Sequence, residues 1–265
     1  MNKILVVNDK ILEREISKNI VIKKNYQKEE FSINEITIEI NESENLSILF
    51  DSKIDSKLIF NVIIKNNVNS NIYILTKGEN YKINYRYELN KESNLKVIKY
   101  NNIKRINEMI EVNLNDELAN INYTLKTIGK EKESYDYRVF HNKKDTYSNI
   151  KNNSVNLKGV TNIQISGSVY QKSIGCVCNQ NNRIINLTEN KCEIRPILYI
   201  DTDDVTANHS ALIGNFEDDE IFYLNTMGIS KKDAYNLLIK GFLISDINNE
   251  FIKEEIEKDI KKYWR

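Results

Sequence analysis

Apolar and polar residues alternate along much of the chain. Ile36, Ile38 and Ile40 are separated by Thr37 and Glu39, and Tyr81, Ile83, Tyr85 and Tyr87 by Lys82, Asn84 and Arg86. A period of two places one set on a buried face and predicts strands. Shorter candidates of the same kind fall at 46–50, 58–64, 72–75, 95–100, 110–114, 121–125, 135–140, 155–157, 160–165, 183–187 and 197–200. Strands recurring every ~8 to 12 residues predict a mainly β fold: a sandwich, a barrel or a coil-stacked solenoid.

Turn chemistry tilts the choice among these. Two-residue hairpins favour Asn-Gly, Asp-Gly or Gly-Gly, because both central residues need positive φ. None of these dipeptides occurs, and the whole chain has Gly 8 and Pro 1. Doubled asparagines are present instead, at Asn66-Asn67, Asn101-Asn102, Asn152-Asn153 and Asn181-Asn182. Asparagine tolerates the left-handed region best after glycine, so these pairs are read as the corners of a β-helix. No repeat of fixed length is visible.

After Asp204 the period changes to helical spacing. Asp218 and Asp219 precede Ile221, Phe222 and Leu224, with Gly228 placed to stop a short helix. Ser230 and Asp233 form a capping-box pattern ahead of Ala234, Leu237, Leu238 and Phe242. Asp246 is placed to cap a last helix bearing Phe251, Ile252, Ile256, Ile260 and Trp264. The first residues are ambiguous, since Ile11 to Ile22 fits a helix or an irregular cover over the end of the β body. The expected division is a cover segment at 1–30, a β-helix core at 31–204 and a C-terminal helical segment at 205–265.

Composition narrows the function classes. Lys+Arg 38 against Asp+Glu 38 leaves a formal net charge of zero, without the basic surplus of proteins that bind nucleic acid by counterion release. No apolar run approaches the ~20 residues of a membrane-crossing helix. Three cysteines make no disulfide framework and no cleavable leader is apparent, so a reducing cytosol is expected. There is no phosphate-binding Gly-x-x-x-x-Gly-Lys loop and no Gly-x-Ser-x-Gly elbow. The only histidines are His141 and His209. The Asp201, Asp203, Asp204 cluster could supply paired carboxylates, though such runs are usually solvated turns or helix caps.

Cys176-Val177-Cys178 is the sharpest metal-like feature. Residues i and i+2 of a strand face the same way, so both thiolates could grip a soft ion. Two ligands do not complete a tetrahedral site, and Cys192 or His209 would have to join them. The competing reading is that all three cysteines are small core residues and His209 a polar loop residue.

The stretch from Arg195 to Gly214, RPILYIDTDDVTANHSALIG, closely resembles the late segment of the SufB/SufD family of iron-sulfur assembly proteins, as does its continuation. That continuation runs through Asp218-Asp219, Phe222-Tyr223-Leu224, Met227-Gly228-Ile229, Ala234, Leu237-Leu238 and Gly241-Phe242, and upstream Gln171-Lys172-Ser173 and Gln180 to Arg183 fit as well. The match is dense from Gln171 to Phe242. It implies a right-handed parallel β-helix with C-terminal helices, and a non-enzymatic scaffold or partner subunit, SufD-like and short. Its implied partners are a SufC-type ATPase, docked through Phe222, Tyr223, Leu224, Leu237, Leu238 and Phe242, and a second SufB/SufD-type chain, paired through the late rungs as a homo- or heterodimer.

The resemblance also implies a transient iron-sulfur cluster, with His209 as the retained ligand position and Cys178 and Cys176 as weaker candidates. The sequence departs from the family at Ala207, where SufD relatives often have Cys, and at Ser210, where SufB relatives carry Glu. The late-rung cysteine of SufB falls near Asn181 or Asn182, and Cys178 could replace it only across a short insertion at 176–179. Other classes on the same fold are a β-helix carbohydrate-binding protein or polysaccharide lyase, which needs a carboxylate-lined groove, and an exported adhesive solenoid.

Overall fold

The computed structural model describes residues 2–26, 33–52 and 56–263. Its strands are β1 (Asn2–Val7), β2 (Lys10–Glu15), β3 (Ile20–Asn25), β4 (Asn34–Ile40), β5 (Asn45–Ser52), β6 (Ser56–Ile64), β7 (Asn69–Leu89) and β8 (Asn94–Leu114). They continue as β9 (Asn120–Gly129), β10 (Lys132–His141), β11 (Tyr147–Asn156), β12 (Val160–Val169), β13 (Cys176–Asn186), β14 (Glu193–Ile200) and β15 (Val205–Gly214). Helices α1 (Asp218–Thr226), α2 (Lys231–Ile244) and α3 (Glu250–Tyr263) follow.

The strands stack in parallel as a β-solenoid of about seven turns. One face runs β1, β5, β7, β8, β9, β11, β13, β15, and the other β4, β6, β7, β8, β10, β12, β14. Strands β7 and β8 serve both faces. The bend in β7 falls at Gly78, whose φ of 133° and contact with the Ser52 carbonyl exclude a Cβ. Asn69 pairs with Asn94, Asn94 with Asn120, Asn120 with Tyr147, Tyr147 with Val177 and Val177 with Thr206. The offsets differ from turn to turn, and this is why the sequence shows no fixed period.

The corners do require positive φ, but asparagine rarely supplies it. Successive corners are Asn67, Glu92, Leu118, Asp145 and Gly175, with φ of 59°, 55°, 60°, 57° and 68°. The corners stack through backbone bonds, such as Asn67 N donating to Lys91 O (2.9 Å) and Glu92 N to Glu117 O (3.0 Å). The expectation that doubled asparagines mark corners holds at Asn66-Asn67 and fails at the other three pairs, which lie inside β8, β11 and β13. Parallel stacking gives those amides another use, since like residues one turn apart can bond amide to amide. Asn152 donates to Asn182 inside the solenoid (2.6 Å), and Asn71 to Asn45 outside it (2.7 Å).

Inward side chains build the main core, including an aromatic run Phe60, Tyr85, Tyr87, Tyr123 and Tyr137 at centroid separations of 5.6 to 6.0 Å, stacked between Tyr85 and Tyr87 and edge-to-face at the other steps. At the N-terminal end, β2 pairs antiparallel with β1 and β3 with β4, and Ile11, Ile16, Ile22 and Tyr26 close over the core. The helix considered for Ile11 to Ile22 is therefore replaced by two strands. Part of the expected cover segment, 27–30, lies outside the described residues.

Helical spacing was expected from 205 onward, but Val205–Gly214 is a further strand, paired parallel to β13. It forms the open edge of the solenoid: Val205 and Ala207 pack on the cysteine cluster, but Asn208 to Ile213 are exposed, and the apolar alternation that betrays a strand is weak there. Helices begin at Asp218. Gly228, at φ 82°, follows the end of α1, and Ser230 caps α2 by accepting from Asp233 N (3.2 Å). Asp246 does not cap α3. Asn249 does, accepting from Ile252 N (3.1 Å), while Asp246 turns back to the strands. Trp264 lies outside the described residues.

Helices α2 and α3 cover the outer side of the β5–β13 face. Ile239, Leu243, Ile247, Ile252, Ile256 and Ile260 bury themselves against Leu75, Ile98, Tyr100, Ile128, Val155 and Ile185. No helix among the described residues is long and apolar enough to cross a membrane.

Candidate functional site

The solenoid ends in two strands that each pair on one side, β14 with β12 and β15 with β13. On β15, Cys176 pairs with Val205, Cys178 with Ala207, and Gln180 with His209. Alternation therefore puts Val205, Ala207, His209, Ala211 and Ile213 on the side continuous with the interior. His209 is exposed because no further turn covers it, whereas Cys176 and Cys178 are 1% exposed one rung below. The strand placement expected for the cysteine pair is observed, and Cys176, Cys178 and His209 lie on the last two paired strands of this face, with Cys192 elsewhere in the interior.

Burial pushes the Cys178 thiol up, opposed by a hydrogen bond with Ser148. Cys176 Sγ donates to the Lys143 carbonyl (3.3 Å) and contacts Thr146 Oγ1 (3.1 Å). Among the described residues no group of three or more His, Cys, Asp or Glu side chains could hold a metal ion. Cys192 belongs to the interior cluster, its Sγ accepting from Asn156 Nδ2 (3.3 Å) and Thr161 N (3.5 Å).

Gly167 faces Cys178 across the interior. A Cβ there would lie 2.5 Å from Cys178 Sγ and 3.2 Å from Gln180 Nε2. Gly167→Ala should destabilise by about 1–3 kcal/mol through overpacking. Adding Cys178→Ala removes the sulfur and should recover most of that loss in thermal unfolding. A double variant no more stable than Gly167→Ala would contradict this placement of the thiol.

The expected docking residues divide into two groups. Phe222, Tyr223 and Leu237 are 69%, 63% and 49% exposed, and Met227 beside them 63%. Leu224 is half-buried, whereas Leu238 and Phe242 pack against the helix–sheet core. Phe242 also lies under the Arg183 guanidinium, 5.3 Å from its ring centroid. Uncharged apolar exposure continues on the edge strands at Tyr199, Ile200, Leu212 and Ile213.

The sequence reading missed a polar interior. Lys99 and Glu108 are wholly buried and ion-paired, and Lys99 Nζ also donates to Tyr85 OH (2.9 Å). Glu133 accepts from Thr161 (3.0 Å) and Thr127, and burial pushes its carboxyl up to about 7. His141, bonded to Thr146 (2.8 Å) and Ser148 (2.9 Å), is lowered by burial to about 4. The strand phase held the signal: Lys99 continues Leu95 and Val97, and Glu108 sits between Ile106 and Ile110.

A groove of about 330 Å³ on the outer face of β8, β10, β12 and β14 holds Asp136 and Glu193. Each carboxylate is paired with the arginine two residues on, Arg138 (2.7 Å) and Arg195 (2.8 Å).

The family model described as the SufBD core domain of the SUF iron-sulfur cluster assembly system matches residues 22–242. The chain is similar to the iron-sulfur cluster assembly protein SufD of Bacillus subtilis, 33% identical over 141 residues, 52% of this chain and 29% of that protein. It is similar to the SufD of Escherichia coli, 33% identical over 88 residues (32% and 20%), and to a SufBD family protein of Pyrococcus horikoshii, 36% over 67 residues (24% and 15%). The matches span under a third of the length of these relatives.

Proposed function

Because the chain belongs to the SufBD family of iron-sulfur cluster assembly proteins, we propose that it is a non-catalytic scaffold or partner subunit of a Suf-type assembly complex. It pairs with a second SufB/SufD-type chain through β14 and β15 and docks a SufC-type ATPase through Phe222, Tyr223 and Leu237. The observation that carries this reading is the difference between the two ends of the solenoid. At the N-terminal end the edge strands β2 and β3 are antiparallel and charged, KILERE and IVIKKN, the usual protection against edge pairing. At the other end β15, VTANHSALIG, carries no Lys, Arg, Asp or Glu and is exposed along most of its length. An unprotected edge with apolar neighbours is a template for strand addition.

In this reading the iron-sulfur cluster is cargo. His209 is its candidate ligand at the paired edge, with Cys178 and Cys176 beneath as weaker candidates because both are buried. Phe222 and Tyr223 support docking because no part of the described chain covers them.

Anaerobic co-expression with a SufC-type ATPase and a SufB-type chain tests the proposal. Wild type is expected to co-purify with both, Phe222→Ala/Tyr223→Ala to lose the ATPase, and Leu212→Lys to lose the second scaffold, with unfolding temperatures unchanged. Cluster absorption of the reconstituted complex should fall in His209→Ala. Failure of the wild type to form any complex sinks the reading.

A further inference from the structure

We propose that Asp246 is the positioning residue of the docking helix: its ion pairs with Lys126 and Lys151 fix where α2 sits on the β-face, and so where Leu237 and α1 are presented. This rests on the docking role proposed above for these helices. The need for such a residue follows from the solenoid's repetition. The outer apolar row beneath the helices runs Ile128, Val155, Ile185 in direct register, one strand apart. Strands are spaced ~4.8 Å, so a helix shifted by one strand would meet nearly the same surface. Apolar packing is non-directional and separates such placements poorly.

The lysines do not repeat. In register with Lys126 stand Tyr100, Asn153 and Arg183, and in register with Lys151 stand Thr124 and Asn181. Asp246, in the linker after α2, lies 2.6 Å from Lys126 Nζ and 2.6 Å from Lys151 Nζ. Lys126 is wholly buried, so a shifted helix would leave a cation without water or counter-ion. Burial works to raise the Asp246 carboxyl, and the bonds from the two lysines outweigh it and hold it below its ordinary range. Asn153 Nδ2 donating to Phe242 O (3.2 Å) marks the same seat one turn earlier in α2. Helix α3 has its own directional contacts, Tyr100 OH donating to Asp259 (2.5 Å) and Lys77 with Glu255 (2.5 Å).

Hydrogen exchange of the full chain tests this, with capture of the co-expressed SufC-type ATPase as a second readout. Asp246→Asn removes the charge at nearly constant shape. Amides of α2 should exchange about tenfold faster, or more, with β8 to β10 interior amides unchanged. Lys151→Met, which removes the more exposed partner, should give a smaller rise in the same segment and guards against an Asp246 variant that folds poorly. Unchanged α2 exchange, or a uniform rise through the solenoid, overturns the proposal. Faster α2 exchange with undiminished ATPase capture upholds the seat and overturns docking through α2. Lost capture with unchanged exchange overturns the seat and leaves docking standing.

Discussion

Lys99→Met is expected to cost about 3–5 kcal/mol, enough to unfold a large fraction of a marginally stable chain. The cost comes from what remains. Glu108 is wholly buried, and its remaining donor, Asn101 Nδ2, is 3.5 Å away, so without Lys99 a carboxylate would sit in the interior uncompensated. Burial already raises the Glu108 carboxyl, so protonation offers relief, and the variant should regain stability towards acid. Lys99→Met/Glu108→Leu, which leaves no charge to solvate, should recover most of the loss. Urea unfolding of the two variants beside wild type measures this; a single variant within about 1 kcal/mol of wild type would refute the buried pair.

The second large effect is on pH dependence, through two buried groups shifted in opposite senses. Glu133 is raised from 4.5 to about 7, so between those values the folded state holds a proton the unfolded chain has released, and stability falls as pH rises. His141 is lowered from 6.5 to about 4, so between those values the unfolded chain holds the extra proton, and stability falls as pH drops. Each amounts to about 3 kcal/mol across its window. Where the windows overlap the slopes cancel, and these two groups together leave a plateau. Glu133→Gln should uncover a loss of stability towards acid, and His141→Asn a loss towards neutral pH. Chemical unfolding from pH 4.5 to 7 follows both; parallel profiles for all three proteins would contradict the assignment.

Much of the β body was legible because alternation and burial coincide: Ile36, Ile38 and Ile40 are all fully buried. Legibility fell where the environment on the two sides of a strand was unusual. On β15 the inward face is covered only at Val205 and Ala207, and from Asn208 to Ile213 the strand is exposed, with His209 breaking the apolar rhythm. On β8 the inward phase includes Lys99, whose acceptability depends on Glu108, which the fold brings alongside. Asp246 shows the same limit, since a carboxylate ahead of a helix reads locally as a cap and only the packing reveals Lys126 and Lys151. For the candidate site, sequence singled out His209, Cys178 and Cys176, and alternation correctly put the two cysteines on one face. It could not show that the thiols are sealed beneath the edge, nor that Leu238 and Phe242 pack inward while Phe222 and Tyr223 do not.

The unlike ends of the solenoid also limit stoichiometry. A body with two adhesive ends adds copies head to tail and grows into a filament, because each addition regenerates a free end. Among the described residues the charged antiparallel strands β2 and β3 guard one end, and at the other β14 carries Glu193, Arg195 and Pro196, so that β15 is the edge strand free of charge and proline. In the proposed pairing, β15 joined to the matching edge of a copy or of a similar chain uses up that edge, so assembly along the solenoid axis would stop at two.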